Sequence, residues 1–353
     1  MYLLSSFFLI ILASSLPYFE LLSQYPFFSY SRDLFIIGIL IFIFSNKKIF
    51  IRNHVVIIFV IFIAVFTLTI PRISLDSIQY FSRNLFFYGI AFLCIFDSAK
   101  LNSKYIFYSI PFLDILGLIL QKSGHILSPF EERYIGFFIS PTVVGFINLL
   151  FLVYINIECK ITKIEKRIFS ILSISFIFLS GSIFFIGISI IVFLYYYRKK
   201  LIFILLSGCF TYYFFYEEFY NRIQYVFIDK SVRTLSGRIE AFSKFDNFNL
   251  TNIIFGLESH AEITPLDSSY LFIFQYLGLI GLILFLIYKF YIFFIVYNLN
   301  RLAKYSSTKA LCLILFIDFC LSFGFNANFS FICNLFIFSI FALDYAKFNN
   351  DLS

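Results

Sequence analysis

Long apolar runs separated by short polar connections recur along the whole chain, and only one polar stretch is long. The runs lie near 2–19, 30–46, 54–70, 80–97, 104–120, 134–157, 167–180, 183–197, 201–216, 268–294, 309–324 and 327–346. Each approaches the roughly 20 apolar residues that a helix needs to cross a bilayer core, the shorter ones being completed by snorkelling flanks. This pattern predicts an all-α fold: a polytopic integral membrane protein of about twelve transmembrane helices, forming a single domain over 1–353. The seventh and eighth runs are short and joined only by Ser180, Gly181 and Ser182. The first run, Met1 to Leu16, lacks a basic flank and is followed by further spans, so it is expected to be a first transmembrane helix and not a cleaved signal.

The exception to the pattern is the stretch 217–267, which precedes an unbroken apolar helix expected from Ser268 onward. It gathers Arg222, Arg233, Arg238 and His260 together with Glu217, Glu218, Asp229, Glu240, Asp246, Glu258, Glu262 and Asp267. A chain that is otherwise mostly apolar has gathered an unusual density of titratable side chains in one loop. That loop is the expected seat of any chemistry.

Charge along the connections sets the orientation. Lys47, Lys48 and Arg52 follow the second span, Lys100 and Lys104 the fourth, and Lys160, Lys163, Lys166 and Arg167 the sixth. Arg198, Lys199 and Lys200 follow the eighth, and Arg301, Lys304 and Lys309 the tenth. The short connections after odd spans carry only Arg32, Arg72, Arg83, Lys122 and Arg133. Since basic loops stay cytoplasmic, both termini are expected inside and the loop 217–267 outside.

Composition sharpens this reading. The chain is 61% hydrophobic and only 13% charged, which excludes a soluble globular protein. It has 56 Phe and no Trp, so an interfacial aromatic belt would be built from its 25 Tyr, as in Tyr195, Tyr196, Tyr197 and Tyr212, Tyr213. The net charge of +7 comes mostly from the orienting loops, and nucleic acid is not an expected partner. The six cysteines (Cys94, Cys159, Cys209, Cys312, Cys320, Cys333) show neither a disulfide framework nor metal-ligand spacing. No metal and no cofactor is expected.

Two carboxylates fall deep inside spans, Asp114 and Asp318, each about six residues from the outer end of its helix, on the order of 9 Å. An ionisable group at that depth faces the bundle interior or a wet cavity. Either a neighbouring helix satisfies each carboxylate, or the two support a cationic site open to the outside. Lys289 is expected to snorkel to the inner interface.

The outward arginines Arg72, Arg83, Arg133, Arg222, Arg233 and Arg238 suit an anion, because guanidinium grips phosphate in a planar, bidentate way. Taken singly, each also fits contact with lipid headgroups or nearby acids. Around Arg238, Ile239, Phe242 and Phe245 recur at helical spacing, which predicts a short surface helix with Arg238 at its start and Gly237 turning the chain before it. Ile253-Ile254-Phe255-Gly256-Leu257 reads as an apolar return to the membrane surface. Asp267 is placed either as the N-cap of the next helix or as a functional carboxylate. His260, the one histidine of the long loop, is the leading candidate for a general base, with Asp267 and Glu258 behind it.

Several of these segments together resemble the O-antigen polymerase and ligase superfamily. They are Ser236-Gly237-Arg238 with Phe242, the Ile-Ile-Phe-Gly stretch, and Asp267-Ser268-Ser269-Tyr270-Leu271 followed by Leu277-Gly278-Leu279-Ile280-Gly281. Arg133-Tyr134-Ile135-Gly136-Phe137-Phe138-Ile139-Ser140-Pro141 is similar to the Arg, Gly, Pro pattern that opens a central helix in that family, and Leu179-Ser180-Gly181-Ser182 to its Ser-containing turn. The resemblance runs from Arg133 to Gly281. Asp267 stands where ligases carry His, and this favours the polymerase over the ligase.

The resemblance implies a membrane glycosyltransferase, of the type C kind, in the bacterial inner membrane. Its expected activity is joining oligosaccharide repeat units carried on undecaprenyl pyrophosphate into an O-antigen or capsule-type polymer at the periplasmic face. The same lipid-linked oligosaccharide would be donor and acceptor, with a chain-length regulator and a flippase as pathway partners and the lipid bilayer as surroundings. Arg133, Arg238, Arg233, Arg72 and Arg83 would hold the pyrophosphate, and His260, Asp267 and Glu258 would supply the base. An O-antigen ligase, a flippase for the lipid-linked unit and a non-catalytic assembly protein of the pathway are the alternatives.

Overall fold

A computed structural model describes residues 19, 34, 36–38, 103–127, 134–138, 140–157, 161–197, 209, 213, 220, 249–256, 269–303 and 306–321. Among these the chain is helical: α1 (Ser103–Lys122), a 3-10 turn (Gly136–Phe138), α2 (Pro141–Ile157), α3 (Lys163–Ser180), α4 (Ile183–Tyr197), α5 (Leu250–Phe255), α6 (Ser269–Ala303) and α7 (Ser306–Leu321). The one β-type pairing among the described residues is an isolated antiparallel bridge between Phe19 and Ile126. The spans predicted over 54–70, 80–97 and 327–346 lie outside the described residues, as do those over 2–19, 30–46 and 201–216 apart from isolated positions.

Helix α2 is the hub. Pro141 opens it at the position where a missing N–H costs nothing, and 14 of its 17 residues are buried. It packs against α1, α3, α4 and α7, so apolar side chains on every face find a neighbour. Gly145 lets α4 come close: a Cβ there would lie 2.8 Å from the ring of Phe185, which also packs at 5.9 Å on Phe146.

The predicted sixth span, 134–157, is helical only from Pro141. Tyr134–Phe138 forms a buried non-helical segment ending in the 3-10 turn, because Gly136 adopts φ +48°, in the left-handed region. Helix α3 begins before the predicted 167, at Lys163. Thr162 and Glu165 close a capping box there, Thr162 Oγ1 accepting from the Glu165 N–H and the Glu165 carboxylate accepting from the Thr162 N–H. Gly181, at φ 62° and ψ 23°, ends α3 and lets α4 start two residues later.

The helix expected to run unbroken from Ser268 is broken. Gly278 sits at φ 62° and ψ −162°, a region open to glycine alone, and divides α6 into a short arm up to Leu277 and a long arm from Leu279. In a straight helix Tyr270 and Phe285 would be about 22 Å apart. Their ring centroids are 6.0 Å apart, so the chain reverses at Gly278 into a helical hairpin. One segment of the described residues, Leu277–Asn298, is long and apolar enough to cross a membrane, with 22 residues and mean hydropathy 2.6.

Candidate functional site

Two polar centres sit within this helical core. The first holds the segment that follows Arg133. The Tyr134 hydroxyl donates to the Asp114 backbone carbonyl at 2.7 Å and approaches Asp114 Oδ1 at 3.3 Å, while Asn148 Nδ2 donates to Asp114 Oδ2 at 3.1 Å. Asp114 is fully buried and thus accepts from α2 and from the non-helical segment at once. About two turns further along α1, Gln121 Oε1 accepts the N–H groups of Ile135 (3.0 Å) and Gly136 (3.1 Å). These two donors have left any helix, and the glutamine satisfies both. Gly117 makes room between the two grips, since a Cβ there would lie 2.9 Å from both the Gly136 Cα and the Tyr134 hydroxyl.

The same segment is tied to the turn between α3 and α4. The Tyr134 N–H donates to the Leu179 carbonyl in a long bond of 3.4 Å, and its ring packs at 5.3 Å on Phe176. Within that turn Ser180 Oγ donates to the Ile177 carbonyl and accepts from the Ser182 N–H. Two segments singled out in the sequence, the one opening at Arg133 and Leu179–Ser182, are therefore neighbours.

The second centre is the hairpin. Helix α5, capped by Asn249, whose side chain accepts from the Asn252 N–H at 2.7 Å, docks on the break in α6. A Cβ on Gly278 would meet the carbonyl of Ile254 and the N–H of Gly256, so the bare glycine is what admits this backbone. Ile253–Gly256 and Leu277–Gly281 are thereby brought into contact. Leu250, Ile253 and Phe255 leave apolar surface exposed on α5.

Between the long arm of α6 and α7, Lys289 Nζ lies 2.5 Å from Asp318 Oδ2. Lys289 does not snorkel as expected; it is 12% exposed and turns inward, because the buried carboxylate of Asp318, 2% exposed, gives its charge a partner that the apolar surroundings do not. Both intrahelical carboxylates, Asp114 and Asp318, are thus satisfied by neighbouring helices. Local pattern could not pair Lys289 with Asp318 across 29 positions, nor Asp114 with Asn148 across 34. The roles of Gln121 and Gly117 also escape sequence reasoning, the one signal for them being a polar amide and a glycine inside an apolar run.

The residues predicted to carry the chemistry, Arg72, Arg83, Arg133, Arg222, Arg233, Arg238, Glu258, His260 and Asp267, lie outside the described residues, as does the short helix expected around Arg238. Three of them are close in sequence to described residues. Tyr134 is adjacent to Arg133, Gly256 lies two residues before Glu258, and Ser269 two after Asp267. Comparison with protein-family models, with curated proteins and with solved structures finds no match for this chain.

Proposed function

We propose that the chain is a polytopic inner-membrane polymerase that joins undecaprenyl-pyrophosphate-linked oligosaccharide units at the outer face. The observation that carries this reading is the pairing of segments distant in sequence. Those that resemble the polymerase and ligase family meet two by two, Tyr134–Phe138 with Leu179–Ser182 and Ile254–Gly256 with Gly278. Such pairing is what a site assembled from these segments requires.

In this mechanism negative charge grows on the pyrophosphate as its bond to the donor sugar breaks. Arg133 and Arg238, with Arg233, Arg72 and Arg83, stabilise that charge through fixed guanidinium donors. The acceptor hydroxyl loses its proton to His260, or to Asp267 or Glu258, as it attacks the anomeric carbon, and the lipid pyrophosphate departs. The clamp made by Asp114, Asn148 and Gln121 serves to hold the backbone beside Arg133 still. A guanidinium that had to be reorganised during the reaction would stabilise the transition state less.

The test is the surface polysaccharide of a deletion strain. Loss of a polymerase leaves lipid A core capped with a single repeat unit, because units are still made, flipped and ligated. Bare core with accumulating lipid-linked polymer would make the protein a ligase instead, and single lipid-linked units trapped on the cytoplasmic side a flippase. An unchanged polymer ladder would remove it from this pathway.

A further inference from the structure

Three helical segments converge on one point of the hairpin. The Lys289 ammonium on the long arm of α6 pairs with Asp318 of α7 and lies 5.6 Å from the centroid of the Phe285 ring. The same ring makes a T-shaped contact with Tyr270 of the short arm, at 6.0 Å. Tyr270 in turn donates its hydroxyl to the carbonyl of Phe319 at 2.8 Å and packs on the Phe319 ring at 5.8 Å. Phe290 covers the other approach to Phe319 at 5.4 Å. Phe319 is among the last four residues of α7, whose carbonyls have no partner within the helix, so the tyrosine caps α7 as it docks on it.

From these contacts we infer that Lys289 and Asp318 are a latch for the hairpin, fixing the register of α7 on α6 so that the Tyr270 arm has one place to dock. A buried ion pair is a poor device for stability, since well-packed apolar residues of similar volume do as well or better. It is a good device for register. Beside the pair, the two long helices meet through apolar contacts such as Phe290 on Phe319, and such surfaces tolerate a slip of one turn, about 5.4 Å. That slip would part the charges and leave both buried without a partner. It would also carry the Phe319 carbonyl away from the Tyr270 hydroxyl.

Asp318 and Phe319 are consecutive, so one short piece of α7 grips both arms: the side chain of Asp318 holds the long arm and the carbonyl of Phe319 the short one. The chain reaches the short arm at Ser269, directly from the long polar loop. Lys289 and Asp318 are thereby positioning residues for the end of that loop. This last step rests on the polymerase reading; the latch itself does not.

The experiment uses the full-length chain in membranes, with its six native cysteines replaced and nitroxide labels at Leu271 and Ile287, one on each arm. Dipolar coupling between them reports the docked arm as a narrow, short distance. In Lys289→Met with Asp318→Leu, which removes the latch without leaving a lone charge, the docked population falls at least threefold at normal protein level, and polymer length falls with it. Exchange of the charges, Lys289→Asp with Asp318→Lys, restores both.

A wild-type distance distribution in the apolar variant overturns the latch, whatever the polysaccharide does. A lost short distance with an unchanged polymer profile overturns the positioning role. If the apolar variant does not accumulate, the exchanged variant decides: recovery of the docked distance supports the latch, and failure to recover it or to accumulate overturns it. The deletion profile tests the polymerase reading separately, so the two can fail independently.

Discussion

Replacing Gly278 by alanine sets two backbone arrangements of α6 against each other. In the hairpin, residue 278 adopts φ 62° and ψ −162°, where a side chain costs about 1–3 kcal/mol before any collision is counted. The new Cβ would also run into the Ile254 carbonyl, which is backbone and can give way only if α5 lifts off. In a continuous helix the same substitution is favourable by about 1 kcal/mol, the difference in helix propensity between alanine and glycine. The balance therefore moves by about 2–4 kcal/mol toward a straightened α6, roughly a 30- to 700-fold change in the ratio of the two forms. Nitroxides at Leu271 and Ile287 separate them, since a straight helix puts these positions about 24 Å apart and the hairpin brings the arms side by side. On the polymerase reading, polymer length should fall in parallel. A Gly278→Ala variant that keeps the short distance and its thermal stability would refute the hairpin and the reasoning built on it.

Other expectations follow from single contacts. Gln121→Leu leaves the Ile135 and Gly136 N–H groups without their acceptor and should lower stability by at least about 2 kcal/mol, read as a lower denaturation midpoint in detergent. Thr162→Ala removes one half of the capping box and should cost about 1 kcal/mol, with little effect on the Tyr134 segment, because that segment docks at the other end of α3, on Leu179. Arg133→Lys and Arg238→Lys retain charge but lose the planar fork, and each should strongly shorten the polymer at normal protein level; normal polymer would mean that general electrostatics suffices. A periplasm-active reporter fused after Asn247 and a cytoplasm-active one after Ser306 should both give signal, and silence from the first would invert the orientation.

Composition and run length make the helical class readable, because a helix buried among apolar neighbours needs little beyond a long apolar stretch. The run predicted at 183–197 coincides with α4, and 104–120 falls inside α1. Hydropathy is blind to backbone dihedrals, however. Leu277-Gly278-Leu279 is as apolar as any helix interior, so nothing in its side chains announces a reversal, and Tyr134–Phe138 reads as the start of α2 for the same reason. Lys289 and Asp318 are each visible as anomalies, but their pairing depends on how two helices pack. At the candidate site the motif segments are legible as segments. That Tyr134 is tied to Leu179, and Ile254 to Gly278, is not, since sequence spacing carries no information about which turns of different helices meet.

The enclosure of α2 has a consequence for how the protein is made. One of the helices that cover it, α7, emerges from the ribosome on the order of 10 s later at ordinary synthesis rates. Through that interval the α7-facing side of α2 lacks the cover that α7 gives it. The hub of the bundle is thus among the late parts to be completed, and its assembly is open to interference for as long as translation lasts. Slowing the ribosome between Tyr197 and Ser306 should therefore cost yield more than an equal delay before Ser103.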